Sequence, residues 1–341
     1  MNRDLFRDLK KQLLLKIIIL FLHQNCKSMT YLWGNNRRFF SFTDYCKKKY
    51  GSRIQKVSVN AGFTCPNRDG SKGTGGCSFC NNQGFSPSYC HDDYDIDEQI
   101  EKGLSFIRKR YKKAKLFIAY FQSYSNTYDT LPILRQRYHQ ALAHPFVSGI
   151  SVGTRPDCID EEKLDFLGEL SEKYIVNVEY GVESCYEDTL LRINRGHTFK
   201  DSVRAIEQTA SRGIHTGIHM IIGLPGETKE QILQQSEIIS TLPVNSVKFH
   251  QLQIVSETAM AKDYYNNPGQ FHFFEPAEYA NLMAEFIARL RPDISIERLA
   301  GEVPPGYNLR TSWKGIRSDE MIRLIEQQLE VKNLWQGKYY L

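Results

Sequence analysis

The chain has few cysteines for its length, no long hydrophobic run, no internal repeat and no low-complexity tract, and each lack removes a class of protein. Eight unevenly spaced cysteines in 341 residues are too sparse for a disulfide scaffold, so the compartment reads as reducing and the location as cytoplasmic. The longest apolar stretch, Leu13 to Leu22, is broken by Lys16 and is too short to span a bilayer. No small-residue cleavage site follows it, so residues 1–28 read as a leader, with Met29 a possible true start and no membrane partner expected. Neither charge sign dominates. The net charge of +5 is compatible with a polyanionic partner without requiring one.

What remains is an ordinary globular composition, 41% hydrophobic and 24% charged, able to bury one large core. From Ile54 onward, short β-rich runs alternate with helical stretches, the signature of βα units. Six strands are predicted: Ile54 to Asn60, Lys115 to Phe121, Phe146 to Gly153, Ile175 to Gly181, Ile214 to Ile222 and Ser246 to Leu252. Each is nearly continuous in apolar or β-branched residues, as strands covered on both faces should be. Ile96, Ile100, Leu104, Ile107 and Tyr111 repeat at helical spacing. Thr198 with Asp201, and Thr228 with Gln231, have the spacing of capping boxes. Beyond the sixth strand come a helix near Pro276 to Leu290, a short strand-like stretch at Ile294 to Leu299, and a last helix near Ser318 to Leu329. The expected fold is α/β: a partial (βα)6 TIM-type barrel of parallel strands over 29–252, with a mainly helical C-terminal extension over 253–341 packed on it.

The chemistry concentrates after the first strand. Cys65 is followed by eleven residues and then by Cys77-Ser78-Phe79-Cys80. Pro66 fixes a torsion beside the first thiol, while Gly73, Gly75 and Gly76 let the chain fold closely around something compact. A loop at the C-terminal end of a barrel strand is where such folds place their chemistry. Soft thiolates select zinc or an iron–sulfur cluster. The zinc reading takes Cys90 or His91 as fourth ligand and makes the chain a non-enzymatic interaction module. The iron–sulfur reading rests on the next cysteine lying ten residues beyond Cys80: three thiolates would leave one iron open to chelate S-adenosylmethionine (SAM) and deliver the electron that breaks its sulfur–carbon bond. Phe79 is placed to shield the cluster and contact adenine. The other cysteines, Cys26, Cys46, Cys90, Cys158 and Cys185, have no close metal-spaced partner.

Strand ends carry further polar residues. Arg155 and Arg195 suit a carboxylate, and Glu179 or Glu183 could accept from ribose hydroxyls. His215 and His219 share one face of a strand, and Lys248 and His250 alternate on the sixth, where they are assigned to the substrate side as catalytic candidates. Basic clusters stand at Lys47-Lys48-Lys49 and Arg108-Lys109-Arg110-Tyr111-Lys112-Lys113, attractive to phosphate but also in keeping with a solvated helix end.

Taken in order, these segments resemble the radical SAM superfamily, within it the branch that includes the catalytic subunit of Elongator, together with a bacterial group of similar length. The resemblance covers about Val57 to Leu252 and continues through Glu297-Arg298-Leu299, Gly301 and Trp313. It implies cluster ligation by Cys65, Cys77 and Cys80, and SAM contacts from Gln122 and Ser123 in Tyr120-Phe121-Gln122-Ser123, from Thr154 and Arg155 in Gly153-Thr154-Arg155-Pro156-Asp157, from Glu179, Glu183 and Arg195, and from Gly223 in Gly223-Leu224-Pro225-Gly226-Glu227. Gln122 replaces the usual acidic residue. The implied cofactors are a 4Fe–4S cluster and SAM, served by an electron donor such as flavodoxin or ferredoxin. Because that branch modifies wobble uridine in transfer RNA, tRNA is the implied partner; a small metabolite or a protein is the other substrate class. About ninety residues follow the sixth strand, so the acetyltransferase domain of the Elongator subunit is not expected.

Overall fold

The computed structural model describes residues 30–81, 86–90, 94–112, 114–302, 306–310, 313 and 315–340. The expected leader, 1–28, lies outside them.

A helix precedes the first strand. Ser41 caps it by accepting from the Asp44 amide, and α1 runs Phe42–Tyr50 until Gly51, at φ 72°, ends it. Six strands then arrive where the apolar runs place them: β1 (Ile54–Val59), β2 (Leu116–Phe121), β3 (Val147–Thr154), β4 (Ile175–Glu183), β5 (His215–Ile222) and β6 (Ser246–Gln251). Between them run α2 (Ile96–Arg110), α3 (Leu131–Ala143), α4 (Glu161–Ser171), the short α5 (Glu187–Arg192), α6 (Phe199–Ser211) and α7 (Lys229–Ser240). Both capping boxes form, at Thr198 with Asp201 and at Thr228 with Gln231. After β6 come β7 (Ile254–Val255), α8 (Ala259–Asn266), α9 (Pro276–Arg289), β8 (Ser295–Arg298), β9 (Asn308–Arg310) and α10 (Ser318–Val331).

The strands form one parallel sheet in the order β1-β2-β3-β4-β5-β6-β8, and β7 pairs with β9 in a separate antiparallel ribbon. The half-barrel therefore has seven strands rather than six. The seventh comes from the segment expected to be a mainly helical extension, where the short Ile294 to Leu299 stretch pairs with β6 through Val247 and Ile296. Buried side chains from α9, among them Tyr279, Met283 and Phe286, belong to the same apolar core as Val178, Ile218 and Phe249 of the sheet. The extension and barrel share that core.

The helix α1, which the sequence reading left unassigned, seals the end of the barrel where the strands start. Tyr45 Oη lies 2.9 Å from His215 Nδ1, and Phe42 meets the same ring edge-on. The opposite end, where the strands finish, is open to a cavity among the described residues. No helix among the described residues is long and apolar enough to cross a membrane.

Candidate active site

The loop after β1 folds back on itself through its own backbone. Lys72 and Gly73 amides donate to the Pro66 carbonyl, and the Gly76 amide donates to Asn67 O at 2.7 Å. Gly76 has φ +82°, and a Cβ there would lie 2.8 Å from Arg68 Nε; a side chain would lift the loop off its own arginine. The loop is also tied to the chain after α5, since Ser78 N donates to Ile193 O and Asn194 Nδ2 to Gly76 O. The result brings Cys65, Cys77 and Cys80 to the wall of one cavity of about 230 Å³ at the open end of the barrel.

The same cavity is lined by Phe79, Gln122, Ser123, Thr154, Arg155, Glu179, Glu183, Arg195, Lys248 and His250, residues scattered over most of the chain. Arg195 sits closest to the sulfurs: its Nη1 donates to Cys77 Sγ at 3.2 Å, and its Nη2 stands 3.6 Å from Glu183 Oε1. Burial pushes the Glu183 carboxyl up, with Arg195 opposing. Gly181 makes room for this pair, since a Cβ there would be 2.4 Å from Arg195 Nη2 and 2.5 Å from Glu183 Oε1. Thr154 Oγ1 is 2.7 Å from Thr127 Oγ1, and Ser123 Oγ is 3.0 Å from Ser86 Oγ. Arg155 is held by a two-point bridge to Asp157, 2.9 Å on each arm, and donates to the Arg195 carbonyl. Its charge is thus matched inside the protein.

Beneath the cavity lies a buried polar and ionic cluster to which all seven strands of the sheet contribute a side chain. Lys56 of β1 and Lys248 of β6 both reach Glu179 of β4 and Glu297 of β8. His219 Nε2 is 2.8 Å from Glu179 Oε2, Ser151 donates to Oε1, and Lys248 Nζ is 3.2 Å from Tyr120 Oη. Burial alone would raise the Glu179 pKa, but Lys248 and Lys56 hold it well below the usual carboxylate range. Burial, reinforced by Lys248, lowers the His219 pKa, so the ring is neutral and donates through Nε2. Two lysines and two carboxylates balance, which is the condition for burying charge. Both Glu179 oxygens are engaged by protein donors, in contrast to the expected ribose contact.

Three expectations are redrawn by the geometry. Gly223 does not line the cavity. Its φ of +89° and the Phe274 ring, 3.0 Å from where a Cβ would stand, explain the glycine as packing. Cys90 is not at the cavity either; its thiol donates to the Ser58 carbonyl at 3.1 Å, and His91 lies outside the described residues. Among the described residues no three His, Cys, Asp or Glu side chains surround a point where one ion could sit. Zinc needs all its sulfurs about 2.3 Å from one centre. An iron–sulfur cube takes each thiolate on a different iron and so does not require three sulfurs around one point, and Cys65, Cys77 and Cys80 all line the one cavity. The basic clusters, lastly, sit at the sealed end: Lys47 to Lys49 close α1, and Arg108 near the end of α2 packs over Phe146, 4.2 Å from its centroid.

Lys56, Tyr120, Ser151, Glu297 and Arg298 were not singled out as site residues. The signal available was a charge or polar group inside a buried strand, plain for Tyr120 at the end of Leu116–Phe121 but masked for Lys56, which stands beside Gln55 and Ser58 in Ile54–Val59.

Comparison with known proteins now decides the family. The Radical SAM superfamily profile matches residues 64–234, and a Radical SAM C-terminal domain matches 244–330. This chain belongs to the radical SAM superfamily. The cofactors of this radical SAM protein are those of its family, a 4Fe–4S cluster and SAM. It is 30% identical over 307 residues to the uncharacterized protein YtqA of Bacillus subtilis, covering 90% of this chain and 94% of that one. It is 33% identical to the uncharacterized protein MJ0486 of Methanocaldococcus jannaschii, over 87% and 91% of the two chains. Among solved structures, the archaeal Elp3 of Methanocaldococcus infernus superposes with a TM-score of 0.63 at 16% identity, over 83% of this chain and 64% of that one, a likeness of fold.

Proposed function

We propose that this radical SAM enzyme cleaves SAM reductively at a cluster held by Cys65, Cys77 and Cys80 and uses the chemistry to modify transfer RNA, at a wobble uridine side chain. The observation that carries the cofactor assignment is the convergence of three thiols from one loop on a cavity whose wall also carries polar groups with unspent capacity. The Nε of Arg195 and the Oγ of Ser125 are buried there without a protein partner, and buried donors of that kind call for a ligand or water. When bound, the cluster and SAM together supply a hydrogen-abstracting deoxyadenosyl radical.

The protein's part is to hold and insulate. Arg195 and Asn67 donate to Cys77 Sγ, at 3.2 and 3.7 Å, stabilising negative charge on that sulfur. Phe79, packed toward the apolar cluster of Ile193, Ile221 and Leu252, keeps water from one side of the thiols. Gln122, Ser123, Thr154 and Glu183 present hydrogen-bonding groups for the amino acid and ribose portions of SAM. Lys248 and His250 stand toward β8, on the substrate side. An electron donor such as flavodoxin or ferredoxin and a cytoplasmic location belong to the same reading.

Transfer RNA is favoured as substrate by two similarities: 21% identity over 202 residues, 58% of this chain, to the tRNA uridine(34) acetyltransferase of Methanocaldococcus infernus, and 26% over 160 residues to Elongator complex protein 3 of Schizosaccharomyces pombe. Comparative nucleoside mass spectrometry of tRNA from cells with and without the gene tests this. A modified uridine should vanish in its absence; an unchanged nucleoside profile would move the substrate to the metabolite or protein class.

A further inference from the structure

The last strand carries a bulge, and the bulge places a guanidinium at the cavity. Along β6 and β8, Val247 pairs with Ile296 but the next residue, Lys248, pairs with Arg298, so Glu297 is extra. Bulges beside active sites re-aim side chains. Here two consecutive residues serve the barrel interior: Glu297 turns to Lys56 and Lys248, at 2.7 and 3.2 Å, while Arg298 lines the cavity.

Arg298 differs from the other cations of that wall. Arg155 is bridged to Asp157, Arg195 faces Glu183 and Cys77, and Lys248 faces Glu179. Arg68 donates to the Cys80 carbonyl beside the thiols. Among the described residues Arg298 makes no ion pair; its Nη1 stands 3.5 Å from His250 Nε2. The surroundings are built to keep it there. Gln251 grips Gly301 at both backbone groups, 2.9 Å each way, and Gln253 adds a donor to the same carbonyl. Gly301 lies flat on the imidazole, since a Cβ there would be 2.2 Å from His250 Nδ1. His250 is thus wedged between Gly301 and Arg298, its ring kept neutral by burial first and by the nearby cations second.

We propose that Arg298 and His250 form a subsite for an oxyanion carried by the substrate. Resting on the transfer RNA reading above, that oxyanion is a backbone phosphate beside the target nucleotide. The planar fork of a guanidinium matches two phosphate oxygens, and the neutral imidazole, its Nε2 3.5 Å from Arg298 Nη1, holds that fork in place.

The test uses the anaerobic, cluster-loaded enzyme with SAM present, and equilibrium dialysis of uridine, uridine 3′-monophosphate and malonate. The nucleotide should bind about tenfold or more tighter than the nucleoside, the worth of a charge-assisted contact. Arg298→Gln should bring that ratio to about one, Arg298→Lys should keep part of it, and Arg323→Gln, on the exposed face of α10, should leave it unchanged. Malonate binding that depends on Arg298, without any preference for the nucleotide, would keep the oxyanion subsite and withdraw the RNA phosphate as its occupant. Equal binding of nucleotide and nucleoside with no malonate binding, no binding of any probe, or a preference that survives Arg298→Gln would overturn the proposal. Failure of the tRNA assignment itself shows separately, in the cellular nucleoside profile.

Discussion

Lys56 Nζ, on the first strand of the sheet, lies 2.7 Å from both carboxylate oxygens of Glu297 on the last. Among the described residues no backbone pairing joins those two strands, so this ion pair is a side-chain tie across the gap of an unclosed barrel. It sits over the rings of Phe42 and Tyr120, with centroids at 5.3 and 5.1 Å. Lys56→Met would leave Glu179 and Glu297 sharing one lysine and should cost about 3 kcal/mol, the usual penalty for an orphaned buried charge. Adding Glu297→Gln should recover more than half of it. Urea denaturation of the two singles and the double decides; additive losses would show that the pair does not act as one.

Single Cys65→Ala, Cys77→Ala and Cys80→Ala variants, reconstituted without oxygen, should each fall from about four irons per chain to nearly none and make no 5′-deoxyadenosine. Cys90→Ala should retain both properties, because that thiol is spent on the Ser58 carbonyl. Iron analysis alone distinguishes the ligand set. A colourless, zinc-only protein from anaerobic purification would contradict the cofactor assignment.

A methyl group at Gly181 would press on the far ends of Arg195 and Glu183 and on no backbone. Gly181→Ala is therefore expected to leave the melting temperature within a few degrees of wild type, while SAM binding weakens by about tenfold or more as the two charged groups shift. Calorimetry for the first and equilibrium dialysis for the second would separate a displaced site from a damaged fold.

Glu227 closes the turn after β5, accepting from Gln235 at 3.1 Å and from Ser184, and burial raises its pKa to about 7. A carboxyl whose pKa is higher in the folded state binds protons there that the unfolded chain has lost. Its contribution is fully present below the ordinary carboxylate pKa and is lost as pH rises to about 7. Glu227→Gln should flatten the fall in stability across that window, by on the order of 1 kcal/mol after allowance for its partial exposure. Melting curves at closely spaced pH values would show it; an unchanged slope would remove Glu227 as the cause.

Much of this was written in the sequence because parallel strands buried on both faces leave unbroken apolar runs, and the six from Ile54 to Gln251 fall within a residue or two of the runs that announce them. Thiol spacing was equally legible, since a cluster loop is local. What stayed hidden depends on pairing across the sheet. Lys56 and Glu297 are 241 positions apart, and neither shows its partner until β1 and β8 are brought to opposite edges. Ser41 and Asp44 did carry the signature of a helix start, though only the aromatic seal on His215 reveals why that helix is there. The basic clusters had two readings in the sequence, and their places, on the last turn of α1 just before β1 begins and on the last turn of α2, agree with the solvated helix end.

The seventh strand has one more consequence. Because β8 is donated by the segment beyond Leu252, a fragment cut there would bare a row of unsatisfied amides and carbonyls along β6, an invitation to stick to other chains, and would strip Lys248 of one of its two counterions. The two stretches recognised as separate family domains, 64–234 and 244–330, share one sheet and one apolar core in this fold.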